Sequence, residues 1–118
     1  MSLRNFFLYS FIGIFSSMPI SSNIDQLVLK PGFEISIFAD DLDSPRQMVQ
    51  GDNGTIFVGE RSGQIVALFD SDKNGQVDSK RVIADSLNYS TGVSIFKGDL
   101  YFSEISKIWK ILDIEGWL

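Results

Sequence analysis

Ile37-Phe38-Ala39-Asp40-Asp41-Leu42-Asp43 and Val82-Ile83-Ala84-Asp85-Ser86-Leu87-Asn88 carry one pattern twice. The correspondence continues forward in the same order. Gly54-Thr55-Ile56-Phe57-Val58-Gly59-Glu60 matches Gly98-Asp99-Leu100-Tyr101-Phe102-Ser103-Glu104. Gln64-Ile65-Val66-Ala67-Leu68-Phe69-Asp70 then matches Lys107-Ile108-Trp109-Lys110-Ile111-Leu112-Asp113. The small changes of offset fall in turns, where insertions are tolerated.

The repeated segments are strands by composition. Residues 33–38 (FEISIF), 55–58 (TIFV), 64–69 (QIVALF), 80–83 (KRVI), 100–102 (LYF) and 107–112 (KIWKIL) are rich in β-branched and aromatic side chains. Asp52-Asn53-Gly54, Ser62-Gly63, Asn74-Gly75 and Lys97-Gly98-Asp99 separate most of them as turns. After the signal segment no window of a dozen residues holds a helical period. Strands recurring at a period of roughly 40–50 residues describe an all-β fold built of β-propeller blades. Met48, Ile56, Ile65 and Val82 then fall on the four strands of one blade, and Val93, Leu100 and Ile108 begin the next. Residues 33–38 align with the outermost strand at 80–83. In a closed propeller such a strand completes the last blade and locks the ring. Propellers have four to eight blades. The expectation is therefore an incomplete β-propeller, with under two four-stranded blades after an N-terminal signal segment. By that reading the sequence is truncated, and its blade faces and strand edges are exposed.

Residues 1–22 read as that signal. Arg4 is followed by the apolar run FFLYSFIGIF at 6–15 and then by Ser16, Ser17, Pro19, Ser21 and Ser22, the layout of a secretory signal peptide. The run is short for a membrane span. Ile20 stands where a small residue is preferred before a cut after Ser22. An uncleaved anchor and a buried strand are the competing readings. The domain expectation is a signal peptide at 1–22 and the blades at 23–118. The location expected is the periplasm or the medium, with no stable membrane insertion after cleavage.

The chain of 118 residues has a net charge of −5 at pH 7 and contains neither His nor Cys. An acidic surface repels phosphate backbones, so nucleic acid is not an expected partner. Without His, neither a Ser–His–Asp relay nor a His-ligated zinc can be assembled from these residues alone. Without Cys there is no disulfide and no thiolate nucleophile.

Several motifs in order resemble the N-terminal part of the glucose/sorbosone dehydrogenase family, especially its sorbosone-dehydrogenase-like branch. They are Lys30-Pro31-Gly32-Phe33-Glu34-Ile35, Leu42-Asp43-Ser44-Pro45-Arg46-Gln47-Met48, Asn53-Gly54-Thr55-Ile56-Phe57-Val58-Gly59-Glu60-Arg61, the Asp-rich loop at Asp70, Leu87-Asn88, and Gly98-Asp99-Leu100-Tyr101-Phe102-Ser103-Glu104 with Ile108. The resemblance implies a six-bladed exported propeller that oxidises a small-molecule sugar, or a related alcohol or aldehyde, with pyrroloquinoline quinone (PQQ). It also implies that the catalytic base and most cofactor ligands come from later blades, so no catalytic residue is named. Thr91-Gly92 departs from the family's Asn-Gly. Thr lacks the paired donor and acceptor of a carboxamide.

Two local features are candidates for chemistry. Arg46 is the one cation in the loops leading into the inner strands. It either faces an anionic cofactor or satisfies loop carbonyls at the surface. Glu60 recurs as Glu104, and a carboxylate at a repeated position reads as a turn hydrogen-bonder or as a site residue. The second feature is Asp70-Ser71-Asp72-Lys73-Asn74-Gly75-Gln76-Val77-Asp78. Asp70, Asp72, Asn74 and Asp78 supply side-chain oxygens, the Gln76 carbonyl supplies another, and Gly75 takes the sharp turn of an EF-hand-type loop. Arg81 stands where the bidentate Glu belongs, and the flanks read as strands. A structural Ca²⁺ clip and a plain polar hairpin turn are both open. A non-catalytic propeller carrying such a calcium loop is the alternative to the dehydrogenase.

Overall fold

The computed structural model describes residues 24–118. The expected signal at 1–22 lies outside them. The chain divides into two compact units, with the boundary between Glu34 and Ile35.

The described part of the first unit is a short irregular stretch. A single 3-10 turn covers Ile24–Gln26, and the Phe33 amide donates to the Lys30 carbonyl at 3.2 Å. Pro31 and Gly32, the latter at φ 89°, occupy the two centres of this turn. Proline presets the first centre and only glycine adopts the second without strain.

The second unit is all-β, with two antiparallel sheets each wound as a simple meander. The first contains β1 (Pro45–Gln50), β2 (Ile56–Glu60), β3 (Gln64–Phe69) and β4 (Ser79–Ala84), in that order. The second contains β5 (Val93–Phe96), β6 (Asp99–Glu104) and β7 (Lys107–Ile111). Lys97 at φ 53° and Gly98 at φ 81° join β5 to β6, the two positive φ angles that a tight two-residue hairpin requires.

β2 and β3 are the middle of the first sheet and are buried on both faces. That is why they read as unbroken apolar runs instead of alternating ones. Phe57 lies opposite Ala67 and Gly59 opposite Ile65 on one face, while Val58 lies opposite Val66 on the other. The Phe57, Ile65 and Ala67 face packs against Val93, Leu100 and Phe102 of the second sheet and against Ile114. Phe57, Ile65 and Leu100 are fully enclosed, and each such side chain contributes about 1.5–3 kcal/mol by burial. On the opposite face, Phe38, Ala39, Leu42 and Val77 cover Val58, Val66 and Leu68. An ion pair at 2.9 Å from Lys80 Nζ to Asp41 Oδ2 ties this cover to β4.

One expectation needs correction. Residues 33–38 form no strand, although their alternation is that of one. A strand needs a neighbour to complete its hydrogen-bond ladder, and among the described residues this segment has a turn bond from the Phe33 amide and one bond to the Phe38 carbonyl, from the Val77 amide at 3.0 Å, with no ladder. The chain after β7 forms a short helix, α1 (Ile114–Trp117), entered through Asp113 in the left-handed conformation. Ile114 drives it, because its side chain completes the core between the sheets. The remaining strands lie where the turns place them, within one or two residues at most ends.

Candidate functional site

The loops leading into β1 and β5 are built alike. Glu60, at the end of β2, is buried and its Oε1 accepts the Asp43 amide at 2.9 Å. Glu104, at the end of β6, accepts the Asn88 amide on Oε2 at 2.8 Å. The next residue in each loop, Ser44 or Tyr89, is left-handed, at φ 56° and 61°. The Arg61 amide donates to the Ser44 carbonyl, and the Ile105 amide to the Asn88 carbonyl. Both glutamates therefore serve as turn-bonding groups. The Asn88 amide, and after it the Lys107 ammonium, hold the Glu104 carboxyl below the ordinary glutamate range because both favour the ionised form. Arg61 joins the two loops, its guanidinium 4.6 Å from the centre of the Tyr89 ring.

Arg46 lies on β1 and is exposed. Pro45 pairs with Glu60 and Gln47 with Gly59, so Arg46 is the extra residue of a β-bulge, a feature that re-aims a side chain. No ion pair joins it among the described residues. Neighbouring polar groups are already engaged. Gln47 Oε1 accepts the Val93 amide at 3.2 Å, Ser103 Oγ accepts the Gly92 amide at 3.2 Å, and the Thr91 amide faces the Ser103 carbonyl. A side chain at Gly92 would meet Ser103 Oγ at 2.7 Å, which explains the glycine. One arginine is a single cation against the several carboxylates of PQQ, so these residues fit at most one corner of that cofactor.

The acidic loop gathers as its spacing implies. Ligand oxygens of Asp70, Asp72 and Asp78 lie within 4.8 Å of one another between β3 and β4. Asp70 accepts the Asn74 amide at 3.0 Å and the Gly75 amide at 2.9 Å. Asp72 Oδ2 accepts from the Asn74 carboxamide at 2.9 Å, and Asn74 Oδ1 accepts the Gln76 amide at 2.8 Å. Asp78 accepts the Ser71 amide at 2.5 Å. Positive φ is supplied by Lys73 and Gly75. Arg81 turns away from the loop. Its guanidinium donates to the Leu118 carbonyl at 2.7 Å and lies 5.7 Å from the Phe69 ring centre.

Two groups escape sequence reading. Ser90 is fully buried with no partner for its Oγ, and its repeat counterpart is Pro45, so the repeat carries no signal for it. Glu115 reaches back from α1 to accept the Asn53 amide at 2.8 Å. Its other oxygen is buried without a partner, 2.5 Å from where a Cβ on Gly51 would sit. No short-range pattern links positions that far apart.

Stacked antiparallel meanders with repeated turn bonds define an all-β repeat domain. The chain belongs to the family of the domain of unknown function DUF7133, which matches residues 20–116. No curated protein and no solved structure matches the chain.

Proposed function

We propose that this chain supplies the first blades of an exported β-propeller of the quinoprotein dehydrogenase type, which oxidises a sugar or a related alcohol or aldehyde with PQQ. The observation that carries the propeller part is the repeated carboxylate bond, Glu60 to Asp43 and Glu104 to Asn88, in two sheets packed face to face. The motif resemblance supports the chemistry. When bound, PQQ would accept the hydride from the substrate carbon. Arg46 would hold a carboxylate of the cofactor, and Glu60 and Glu104 would keep the loops beside it in shape. The test is dye-linked oxidation of aldoses by a protein in which these blades are followed by further repeats. Activity that depends on added PQQ and falls on Arg46→Ala supports the reading. Absence of PQQ-dependent turnover overturns it. The 118-residue chain alone should reduce no dye above a boiled control.

A second reading is favoured by one observation, the convergence of Asp70, Asp72 and Asp78. It is a non-catalytic propeller that binds a ligand or partner, with Ca²⁺ held on the β3–β4 hairpin. Three carboxylates so close repel one another unless a cation is present.

A further inference from the structure

The sequence carries two Asn-Gly pairs, Asn53-Gly54 in the β1–β2 turn and Asn74-Gly75 in the β3–β4 loop. All four residues are exposed, and both glycines have positive φ with open space around them. Asparagine before glycine is chemically labile, because a glycine amide is the least hindered nucleophile the backbone offers. Local sequence makes the two pairs equivalent. The structure separates them.

Asn74 is held at every group the reaction needs. Its carboxamide nitrogen donates to Asp72 Oδ2 at 2.9 Å, and its Oδ1 accepts the Gln76 amide at 2.8 Å. The side chain is thereby kept from swinging onto the following amide. That amide, of Gly75, donates to Asp70 Oδ2 at 2.9 Å. Such a charge-assisted bond is strong, and the carboxylates of Asp70 and Asp72 oppose negative charge developing on the nitrogen. Asn53 differs on each count. Among the described residues its carboxamide has no hydrogen-bond partner. The Gly54 amide donates only to a neutral group, the Gly51 carbonyl, at 3.1 Å. The turn lies at the end of the first sheet, off both faces, so further layers stacked on either face leave it open.

We propose that Asn53 is a site of spontaneous deamidation, and that this change loosens the hold of the β1–β2 turn on α1. The Gly54 nitrogen loses its proton and bonds to Asn53 Cγ. The Cγ–Nδ2 bond breaks and ammonia leaves, which gives a cyclic succinimide. Water then opens the ring at one of its two carbonyls, giving aspartate or isoaspartate. Either product places a carboxylate at position 53, beside that of Glu115. Glu115 Oε2 accepts the Asn53 amide at 2.8 Å, and its other oxygen is buried without a partner. Repulsion between the two carboxylates weakens that bond. Isoaspartate also adds a carbon to the backbone of the turn, which is closed by the Gly51 amide on the Thr55 carbonyl at 2.8 Å.

The proposal does not rest on the dehydrogenase reading, and its test needs no activity. The full chain is held at mildly alkaline pH, sampled over days and digested with trypsin. Cleavage after Arg46, Arg61, Lys73 and Lys80 puts the two asparagines on separate peptides, residues 47–61 and 74–80. Conversion of amide to acid is read by mass, and isoaspartate by its enzymatic methylation. In the folded chain Asn53 should convert at least about tenfold faster than Asn74. In urea the two rates should converge. Equal rates in the folded chain, or a ratio that survives in urea, would overturn the proposal. Hydrogen exchange of the α1 amides tests its second half on Asn53→Asp and Asn53→Gln. Exchange at least about threefold faster than in the unmodified chain is expected for Asn53→Asp, and no change for Asn53→Gln. Equal exchange in the two variants would sink the link to α1.

Discussion

Glu60 holds the Asp43 amide from a buried position, 2.9 Å away across the end of the first sheet. A buried carboxylate survives there because the bond it accepts is charge-assisted, and such bonds are stronger than neutral ones. Glu60→Ala would strand the Asp43 donor and remove the charge that orders the loop. The expected loss is about 1.5–3 kcal/mol in urea denaturation. Glu60→Gln keeps an acceptor oxygen and should lose clearly less. Equal losses from the two variants would show that the oxygen is not the reason.

Gly63 closes the β2–β3 hairpin at φ 101°. Its carbonyl accepts the Leu87 amide at 3.0 Å, and a Cβ there would overlap the Leu87 carbonyl oxygen. Gly63→Ala therefore combines a backbone conformation that alanine disfavours with a backbone collision. A loss of at least about 2 kcal/mol is expected, read as a lower urea midpoint. Gly75→Ala is the comparison, since Gly75 has positive φ but open space around it, and it should cost less.

Acid should loosen the second sheet. Lys110, and after it the Asp113 amide, hold the Asp99 carboxyl below its ordinary range, and Glu104 is depressed by the Asn88 amide and Lys107. A depressed carboxyl contributes stability that is complete above its unfolded value, about 4 for Asp and Glu. That stability is lost as pH falls through the folded value. Lys110 is raised by Asp99 and then Tyr101, so its share is present below about pH 10 and lost as alkali passes the raised value. Denaturation midpoints measured from pH 7 down to pH 2 should fall, and Asp99→Asn with Glu104→Gln should flatten that fall. An unchanged slope would contradict the assignment.

Calcium should bind the Asp70–Asp78 loop weakly. Asp70, Asp72, Asn74 and Asp78 bring side-chain oxygens and Gln76 a carbonyl, while the position of the bidentate glutamate is Arg81. Calcium takes six to eight oxygens, so water must complete the shell, and a dissociation constant on the order of 10⁻⁴–10⁻³ M is expected. Calorimetric titration of the full chain and of Asp72→Ala reads this directly. Equal heats, or none, would leave a polar turn.

What the sequence makes legible depends on how local the cause is. β3 could be read to the residue because its apolar run is bounded by Ser62-Gly63 and by Asp70. The acidic loop was legible because its oxygens are set by spacing within one turn. Residues 33–38 misled because alternation records the capacity for a strand, and pairing depends on what lies beside it. Glu115 and Ser90 were hidden for the opposite reason. Their environment is made by the packing of α1 and of the loop before β5, which no local pattern encodes. Thr91 and Arg46 were visible as candidates, but only the bulge at Arg46 and the Ser103 contact at Thr91 say how each is held.

The cover formed by Phe38, Ala39 and Leu42 gives the stack a polarity. The first sheet is sealed on both faces, whereas the second is sealed on one and leaves Phe96 and Ile108 in solvent. In a row of units coupled only to neighbours, a sealed unit is where order is cheapest to nucleate, and the open one frays first. Between the two sheets, the one bearing the Lys80–Asp41 pair should therefore be the last to open and the second the first to exchange its amides.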